Sequence, residues 1–122
     1  MFILNLKEYR LRFVDQKNWY VLDVDENTNR IVCTIRCSVG AADYDVQIHL
    51  KSENYNLLTS NKSEFDSWVD LCRSQRRRQE LVCEQEIRFN VETKARYVTS
   101  EPESIQNIDL SFLENMFILM RK

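Results

Sequence analysis

Apolar and polar residues alternate strictly over residues 43–50, which makes this segment the clearest predicted strand of the chain. Its apolar positions are Tyr44, Val46, Ile48 and Leu50, and its polar positions are Asp43, Asp45, Gln47 and His49. Successive side chains of a strand point to opposite faces of the sheet. One face is therefore predicted to be buried, and His49, on the polar face, is predicted to be solvated.

Three segments N-terminal to this strand show related patterns. Residues 31–38 alternate in the same way, and residues 19–24 are rich in aromatic and β-branched side chains. The Asp- and Asn-rich residues 25–29 between them predict a hairpin turn. Residues 2–14 change the parity of their apolar positions near Lys7, which predicts a break or bulge there.

A helical pattern follows the predicted four-stranded antiparallel meander, which covers residues 2–50. Asn61 and Glu64 have the spacing of a helix-capping pair. The apolar positions that then recur at helical spacing are Phe65, Trp68, Val69 and Cys72. The arginines at 76–78 suit the negative end of a helix dipole, so this central helix is predicted to end near Gln79.

The remainder of the chain predicts further β-structure and then a C-terminal helix. Residues 81–98 return to a period of two, and because they would span about 60 Å if extended, a bend is predicted near residues 92–94. Residues 100–103 resemble a helix start, with a proline and glutamates in the first turn. The apolar stripe from Ile105 to Met120 is wider than one sheet face requires, which predicts a helix buried on more than one side.

These elements predict an α+β fold in a single domain over residues 1–122. An antiparallel sheet of four or more strands, formed largely by the N-terminal meander, would be packed by the central helix and the C-terminal helix. A chain of 122 residues is an ordinary size for one domain. Because it has one glycine and one proline, its tight turns are expected to use Asn and Asp, which tolerate the left-handed conformation.

Composition and charge narrow the class of protein. The formal net charge of −2 disfavours nonspecific binding to nucleic acid, which needs a broad basic surface. The first residues lack the basic flank of a signal peptide, and no apolar run reaches the roughly 18 residues of a membrane span. The four cysteines are expected to be reduced and mostly buried. We therefore expect a cytoplasmic protein.

Residue types that carry chemistry are sparse. His49 is the single histidine, so a Ser-His or Cys-His pair would depend on it alone, and the cysteines lack the close spacing of a zinc knuckle. Residues 23–29 resemble the start of a calcium-binding EF-hand loop, but Thr28 and Thr34 replace its glycine and its glutamate. The sole glycine, Gly40, cannot build a phosphate-binding loop. The sequence predicts a non-enzymatic protein without a cofactor or a metal.

Carboxylates near the predicted hairpin and the fourth strand are the candidate partner-binding residues. They are Asp23, Asp25, Glu26, Asp43 and Asp45. If exposed on one area, they would steer a basic protein partner toward it. The leading hypothesis is a small acidic inhibitor, of the immunity-protein or antitoxin type, that blocks a basic nuclease-like protein.

The C-terminal helix suggests the alternatives. Its candidate homodimer interface consists of Phe112, Met116, Phe117 and Met120. Apolar surface in excess of what the chain itself can cover is typical of association sites. One alternative function is a homodimeric structural or assembly protein, and another is a viral or phage accessory protein that antagonises a host factor.

Overall fold

The computed structural model of the chain describes residues 2–4, 6–39, 42–74, 97–98 and 101–121. The fold is α+β, as predicted. Its strands are β1 (Phe2–Ile3), β2 (Leu11–Asp15), β3 (Tyr20–Asp25), β4 (Arg30–Val39), β5 (Ala42–His49), β6 (Tyr97–Val98) and β7 (Ile118–Arg121). Its helices are α1 (Ser52–Ser60), α2 (Lys62–Ser74) and α3 (Leu110–Met116).

The sheet has the strand order β1-β6-β5-β4-β3-β2-β7. Strands β2 to β5 are successive antiparallel neighbours, so the predicted meander is confirmed. Strand β7 adds a fifth antiparallel strand beside β2, whereas β5 and β6 run parallel. The predicted break near Lys7 is also confirmed, because a 3₁₀ turn over Leu6–Glu8 separates β1 from β2.

Asparagine supplies left-handed backbone in two of the turns, as expected from the scarcity of glycine. Asn29, at the end of the turn between β3 and β4, has φ 55°, and Asn107 has φ 61°. In the same hairpin turn the Asn27 N–H donates to the Asp25 carboxylate over 2.9 Å. The third positive φ among the described residues other than glycine, 58°, belongs to Trp19, which has no such local preference.

The predicted capping pair marks the start of α2. The Glu64 N–H donates to the Asn61 side chain over 3.3 Å, and the helix begins at Lys62. Helix α1 escaped prediction because Tyr55 and Leu58 are its only buried side chains, too few to give a helical period. The predicted end of the central helix near Gln79 lies outside the described residues, as do the arginines at 76–78, Cys83 and the predicted strands before residue 97.

The predicted extent of the C-terminal helix is wrong. Helix α3 begins after Asp109, whose carboxylate accepts the Phe112 N–H, and it ends at Met116. The next residues form β7, because a continuous apolar run suits a strand as well as a helix and β2 offers a partner. The segment before α3 is not helical near Glu103, whose carboxylate accepts the Ser52 hydroxyl of α1 over 2.7 Å.

One face of the sheet, here called the packed face, forms the core with all three helices. Its buried residues from the strands, together with Leu50 directly after β5, are Leu11, Phe13, Tyr20, Leu22, Val24, Ile31, Cys33, Ile35, Cys37, Val46, Ile48 and Leu50. The buried helix residues that cover them are Tyr55, Leu58, Phe65, Val69, Cys72 and Leu113. The opposite side, here called the second face, carries the residues of alternate parity.

The described cysteines agree with the expectation of reduced, buried thiols. Cys33, Cys37 and Cys72 are buried in the core and are not joined in disulfides. Burial raises the pKa of the Cys33 thiol well above its usual range, which keeps it protonated and unreactive. Within the described part of the chain, no helix combines the length and the apolar character needed to cross a membrane.

Candidate binding site on the second face of the sheet

Strand register sets the side chains of the second face in rows across five strands. One row consists of Ile118, Val14, Val21, Thr34 and Gln47, taken in order from β7 to β5. The next row consists of Met120, Arg12, Asp23, Val32 and His49. The first row is mostly apolar and partly exposed between β7 and β4.

A cavity of about 520 Å³ lies on this face and is here called the groove. It is lined by Arg12, Val14, Asp15, Gln16, Trp19, Tyr20, Val21, Thr34, Arg36 and Asp45. Because Val14, Val21 and Thr34 share one row of the sheet, they form its floor. The groove thus has a mostly apolar floor with charged side chains and a tryptophan around it.

Two cross-strand ion pairs contribute to the groove. Arg12 donates to Asp23 through two nitrogens, at 2.9 and 3.4 Å, and Arg36 Nε lies 2.8 Å from Asp45 Oδ1. The Arg12 side chain is 30% exposed while that of Asp23 is fully buried, and the Arg36 side chain is 48% exposed against 31% for Asp45. In each pair the arginine side chain is more exposed than the aspartate side chain.

Trp19 stands at the groove in a position fixed by its neighbours. It is 65% exposed, the largest exposed fraction among the described large apolar residues. Its carbonyl oxygen accepts the Arg36 N–H over 3.0 Å, and the Arg73 guanidinium donates to the preceding Asn18 carbonyl over 2.7 Å. The turn between β2 and β3 is therefore held from β4 and from α2.

A cluster of charged side chains anchors the other side of the same turn. Lys62 Nζ lies 2.7 Å from Asp15 Oδ2 and 2.9 Å from Asp66 Oδ2, and the Tyr20 hydroxyl donates to Asp66 over 2.8 Å. The Asn18 side chain donates to both carboxylates. These contacts join the turn to the first two turns of α2.

The pKa values in this cluster follow from the same contacts. Burial alone would raise the pKa of Asp15, but hydrogen bonds from Asn18 and Lys62 outweigh it and lower the pKa. Burial alone would lower the pKa of Lys62, but its bonds to Asp15 and Asp66 raise it. Burial and the Asp66 carboxylate raise the pKa of Tyr20 above its usual range. At neutral pH Lys62 is an ammonium ion, which suits a structural anchor and not a nucleophile.

The structure separates the predicted acidic residues. The expected exposure of Asp23 and Asp25 is wrong, because Asp23 is buried against Arg12 and Asp25 is buried in the hairpin turn. Glu26 is exposed, Asp45 is paired with Arg36, and the side chain of Asp43 lies outside the described part.

Strand register also places these carboxylates apart. Asp25 is opposite Arg30 and Asp45 is opposite Arg36, six positions further along β4. At about 3.3 Å per residue the two sites are roughly 20 Å apart, so they do not share one area. Only the Asp45 end borders the groove.

His49 was predicted to be solvated, and the structure places it in a buried environment. Burial, with the nearby charge of Arg30, lowers the pKa of His49 to about 4. Tyr9 is also buried near Arg30, and burial raises its pKa to about 12. Gln47 is buried too. The side chains of the second face are thus buried near the β3–β4 hairpin and partly exposed near the groove.

The predicted dimer residues are dispersed by the change from helix to strand. Phe117 is buried in the core, with its ring centroid 5.4 Å from Lys62 Nζ, so little of its surface is exposed for a dimer contact. Phe112 packs partly against the same core. Met116 is exposed at the end of α3, and Met120 is exposed on the second face of β7.

The site residues predicted from the sequence do not include Trp19, Arg12 or Arg36. A signal was present, because Trp19 directly follows the polar turn residues 15–18. A large aromatic residue beside a turn is commonly read as the first buried residue of the next strand. Trp19 is instead exposed and has a positive φ, neither of which sequence periodicity reveals.

The described residues contain no group of three or more His, Cys, Asp or Glu side chains arranged to hold a metal ion. No protein-family model, curated protein or solved structure matches the chain. The chemistry of the groove is therefore the basis on which a function can be inferred.

Proposed function

We propose that the chain is a non-catalytic protein-binding module whose partner docks on the groove around Trp19. The single observation that carries this proposal is the exposure of Trp19 in a backbone conformation that tryptophan disfavours. A strained residue persists only where its surroundings hold it, and such residues cluster at functional sites. Here the surroundings are the hydrogen bonds from Arg36 and Arg73.

The comparison with the other left-handed positions strengthens this proposal. Asn29 and Asn107 have nearly the same φ, and each is a residue type that the conformation favours. Stability alone would favour asparagine or glycine at position 19 as well. Tryptophan gives the folded chain little benefit there because most of its surface stays in water. Contact with a partner would explain why the position carries this residue.

The residue types around the groove are those that dominate protein–protein binding energy. Trp and Arg are enriched among such residues because each contributes a large, rigid contact surface with polar donors. The groove combines Trp19, Arg12 and Arg36 with the partly exposed valines of its floor. A small-molecule pocket usually encloses most of its ligand. A ligand on this sheet face would leave much of itself and of Trp19 in water, which favours a macromolecular partner.

Inhibition of a basic partner, of the kind that an immunity protein or antitoxin exerts, is a narrower form of the same proposal. Asp45 supports it, because it is the candidate partner-binding carboxylate that lines the groove. Because the partly exposed Arg36 side chain lies beside Asp45, a partner surface that carries both acidic and basic groups would fit as well as a purely basic one. The proposal therefore rests on Trp19 and the groove, and Asp45 would adjust the rate of association.

A glycine at position 19 tests the proposal, because it removes the indole and also relieves the backbone. Trp19→Gly should leave the free energy of unfolding unchanged or raise it by up to about 1 kcal/mol, since glycine adopts a positive φ without a steric penalty. Binding to the partner should weaken at least tenfold, as expected for a central tryptophan. Urea unfolding measures the first quantity and calorimetric titration measures the second.

The partner is obtained by affinity capture from the native host with the wild-type chain as bait. Leu71→Gln is the matched control, because Leu71 is also an exposed large apolar residue but lies on α2 and does not line the groove. A true partner is retained by this control and lost with Trp19→Gly. Equal affinity of wild type and Trp19→Gly for the purified partner would refute the proposal.

A further inference from the structure

Strand β7 is the outermost described strand at the β2 end of the sheet. Its side chains on the second face are apolar and exposed. Ile118 is 51% exposed and Met120 is 53% exposed, while Leu119 between them packs partly on the core. Strand β7 is held by antiparallel pairing with β2 on one side. The edge of a sheet offers backbone N–H and C=O groups to another strand.

We propose that β7 pairs with β7 of a second copy of this chain, antiparallel and about a two-fold axis at Leu119. This interaction goes beyond the proposed function and is independent of it, since it does not use Trp19. It replaces the helix-mediated homodimer expected from the sequence by a strand-mediated one. The sheets of the two copies would then join into one continuous sheet through their antiparallel strands β2 to β5 and β7.

The residues of β7 are complementary to themselves in this register. A two-fold axis at Leu119 places Ile118 of each copy opposite Met120 of the other, and Leu119 opposite its own mate. Residues directly opposite each other point to the same face and have Cβ atoms about 5 Å apart. Each Ile118 side chain would therefore be covered by the Met120 side chain of the other copy. This contact would occur twice per dimer.

Charge also favours this register over its neighbours. Arg121 would lie opposite Phe117, and the two copies of Arg121 would be four positions apart along the strands, about 13 Å. This separation exceeds the Debye length of about 8 Å at physiological salt, so their repulsion is small. An axis at Arg121 itself would instead place the two guanidinium groups directly opposite each other.

The short length of β7 limits the strength of the dimer. Its four residues bury less than the roughly 800 Å² per partner of a typical stable interface. We therefore expect dissociation in the micromolar range. The row formed by Ile118, Val14 and Val21 runs to this edge, so the dimer would bring the floors of the two grooves onto one surface.

Sedimentation analysis from about 5 to 500 μM tests the dimer, with two charged variants that test its register. Ile118→Glu alone and Met120→Lys alone should each weaken association at least tenfold, because each introduces a charge against an apolar side chain twice per dimer. Mixing the two variants should restore association, since the introduced carboxylate then faces the introduced ammonium. Leu71→Glu, on α2, should leave association unchanged.

Cross-linking provides a test that does not depend on the charged variants remaining folded. Residues directly opposite in an antiparallel pair have Cα atoms about 4.5 to 5.5 Å apart, a separation that a disulfide can bridge. Leu119→Cys should therefore form a covalent dimer on mild oxidation, and Leu71→Cys should not. A wild-type chain that stays monomeric at 500 μM, or a mixture of the two charged variants that fails to associate, would overturn the proposal.

Discussion

The two faces of the sheet show how one alternating pattern leads to two different outcomes. On the packed face every apolar residue of the meander whose burial the structure describes is buried, and the helices provide a uniform apolar cover. On the second face a buried carboxylate, Asp23, and a partly exposed one, Asp45, lie on β3 and β5, the two strands that flank β4. Apolar burial is uniform because it needs no specific partner, whereas a buried polar group requires one.

The largest expected effect lies on the packed face. Phe13 is fully buried in the centre of the core, so Phe13→Ala removes apolar contacts and leaves a cavity. We expect a loss of about 3–5 kcal/mol in the free energy of unfolding. The matched change on the second face of the next strand, Val21→Ala, should cost less than about 1 kcal/mol, because Val21 is partly exposed. Urea unfolding midpoints compare the two, and equal losses would remove the distinction between the faces.

The two ion pairs give a comparison within the second face. Asp23→Ala leaves Arg12 without its buried partner, and we expect it to cost about 2–3 kcal/mol, less than for a wholly buried pair because Arg12 is partly exposed. Asp45→Ala should cost about 0.5 kcal/mol or less, since both members of its pair are solvated. Thermal unfolding of the two variants at neutral pH tests this order. A larger loss for Asp45→Ala would contradict the assignment of the Arg12–Asp23 pair as the more buried of the two.

The third comparison concerns His49, whose effect on stability is smaller than the losses expected for Phe13→Ala and Asp23→Ala and depends on pH. Its pKa in the folded chain is lowered from 6.5 to about 4, so between these values the unfolded chain binds a proton that the folded chain does not. Stability is therefore complete above about pH 6.5 and falls as pH decreases toward 4. The loss is on the order of 2 kcal/mol at pH 4 after allowance for partial solvent screening.

Chemical unfolding of wild type and His49→Gln at several pH values between 4 and 7.5 checks this prediction. The variant lacks the titrating group and should show a flatter dependence over that interval. Asp15 contributes a separate loss at lower pH, because its folded pKa lies below the usual value and its stabilisation disappears as that pKa is approached. Parallel curves for wild type and variant would show that His49 is solvated, as the sequence alone had predicted.

Local sequence patterns were sufficient to predict those parts of the fold that depend on a few consecutive residues. The alternation over residues 43–50 and 31–38 correctly predicted the packed face, and Asn61 with Glu64 correctly predicted the start of α2. The parity change near Lys7 correctly predicted the break between β1 and β2. These signals are local because a strand period, a cap and a break each depend on a few consecutive residues.

The candidate site was not predictable in the same way. Arg12 and Asp23 are eleven residues apart, and their pairing follows from the register of two strands. The turn that presents Trp19 is held by Arg73, which lies more than fifty positions along the chain. Neither contact has a signature in a single sequence, because each partner alone is an ordinary surface residue type.

The sequence by itself determined the class of the fold, the order of the meander and the side of it that would be buried. Tertiary structure decided that residues 118–121 form a strand, because only β2 distinguishes that outcome from a longer helix. It also decided that His49 is buried and that Trp19 is exposed, each against the expectation from its neighbours. The physical reason is the same in all three cases: hydrophobic periodicity tells which residues share a face, and only the packed chain decides what covers that face.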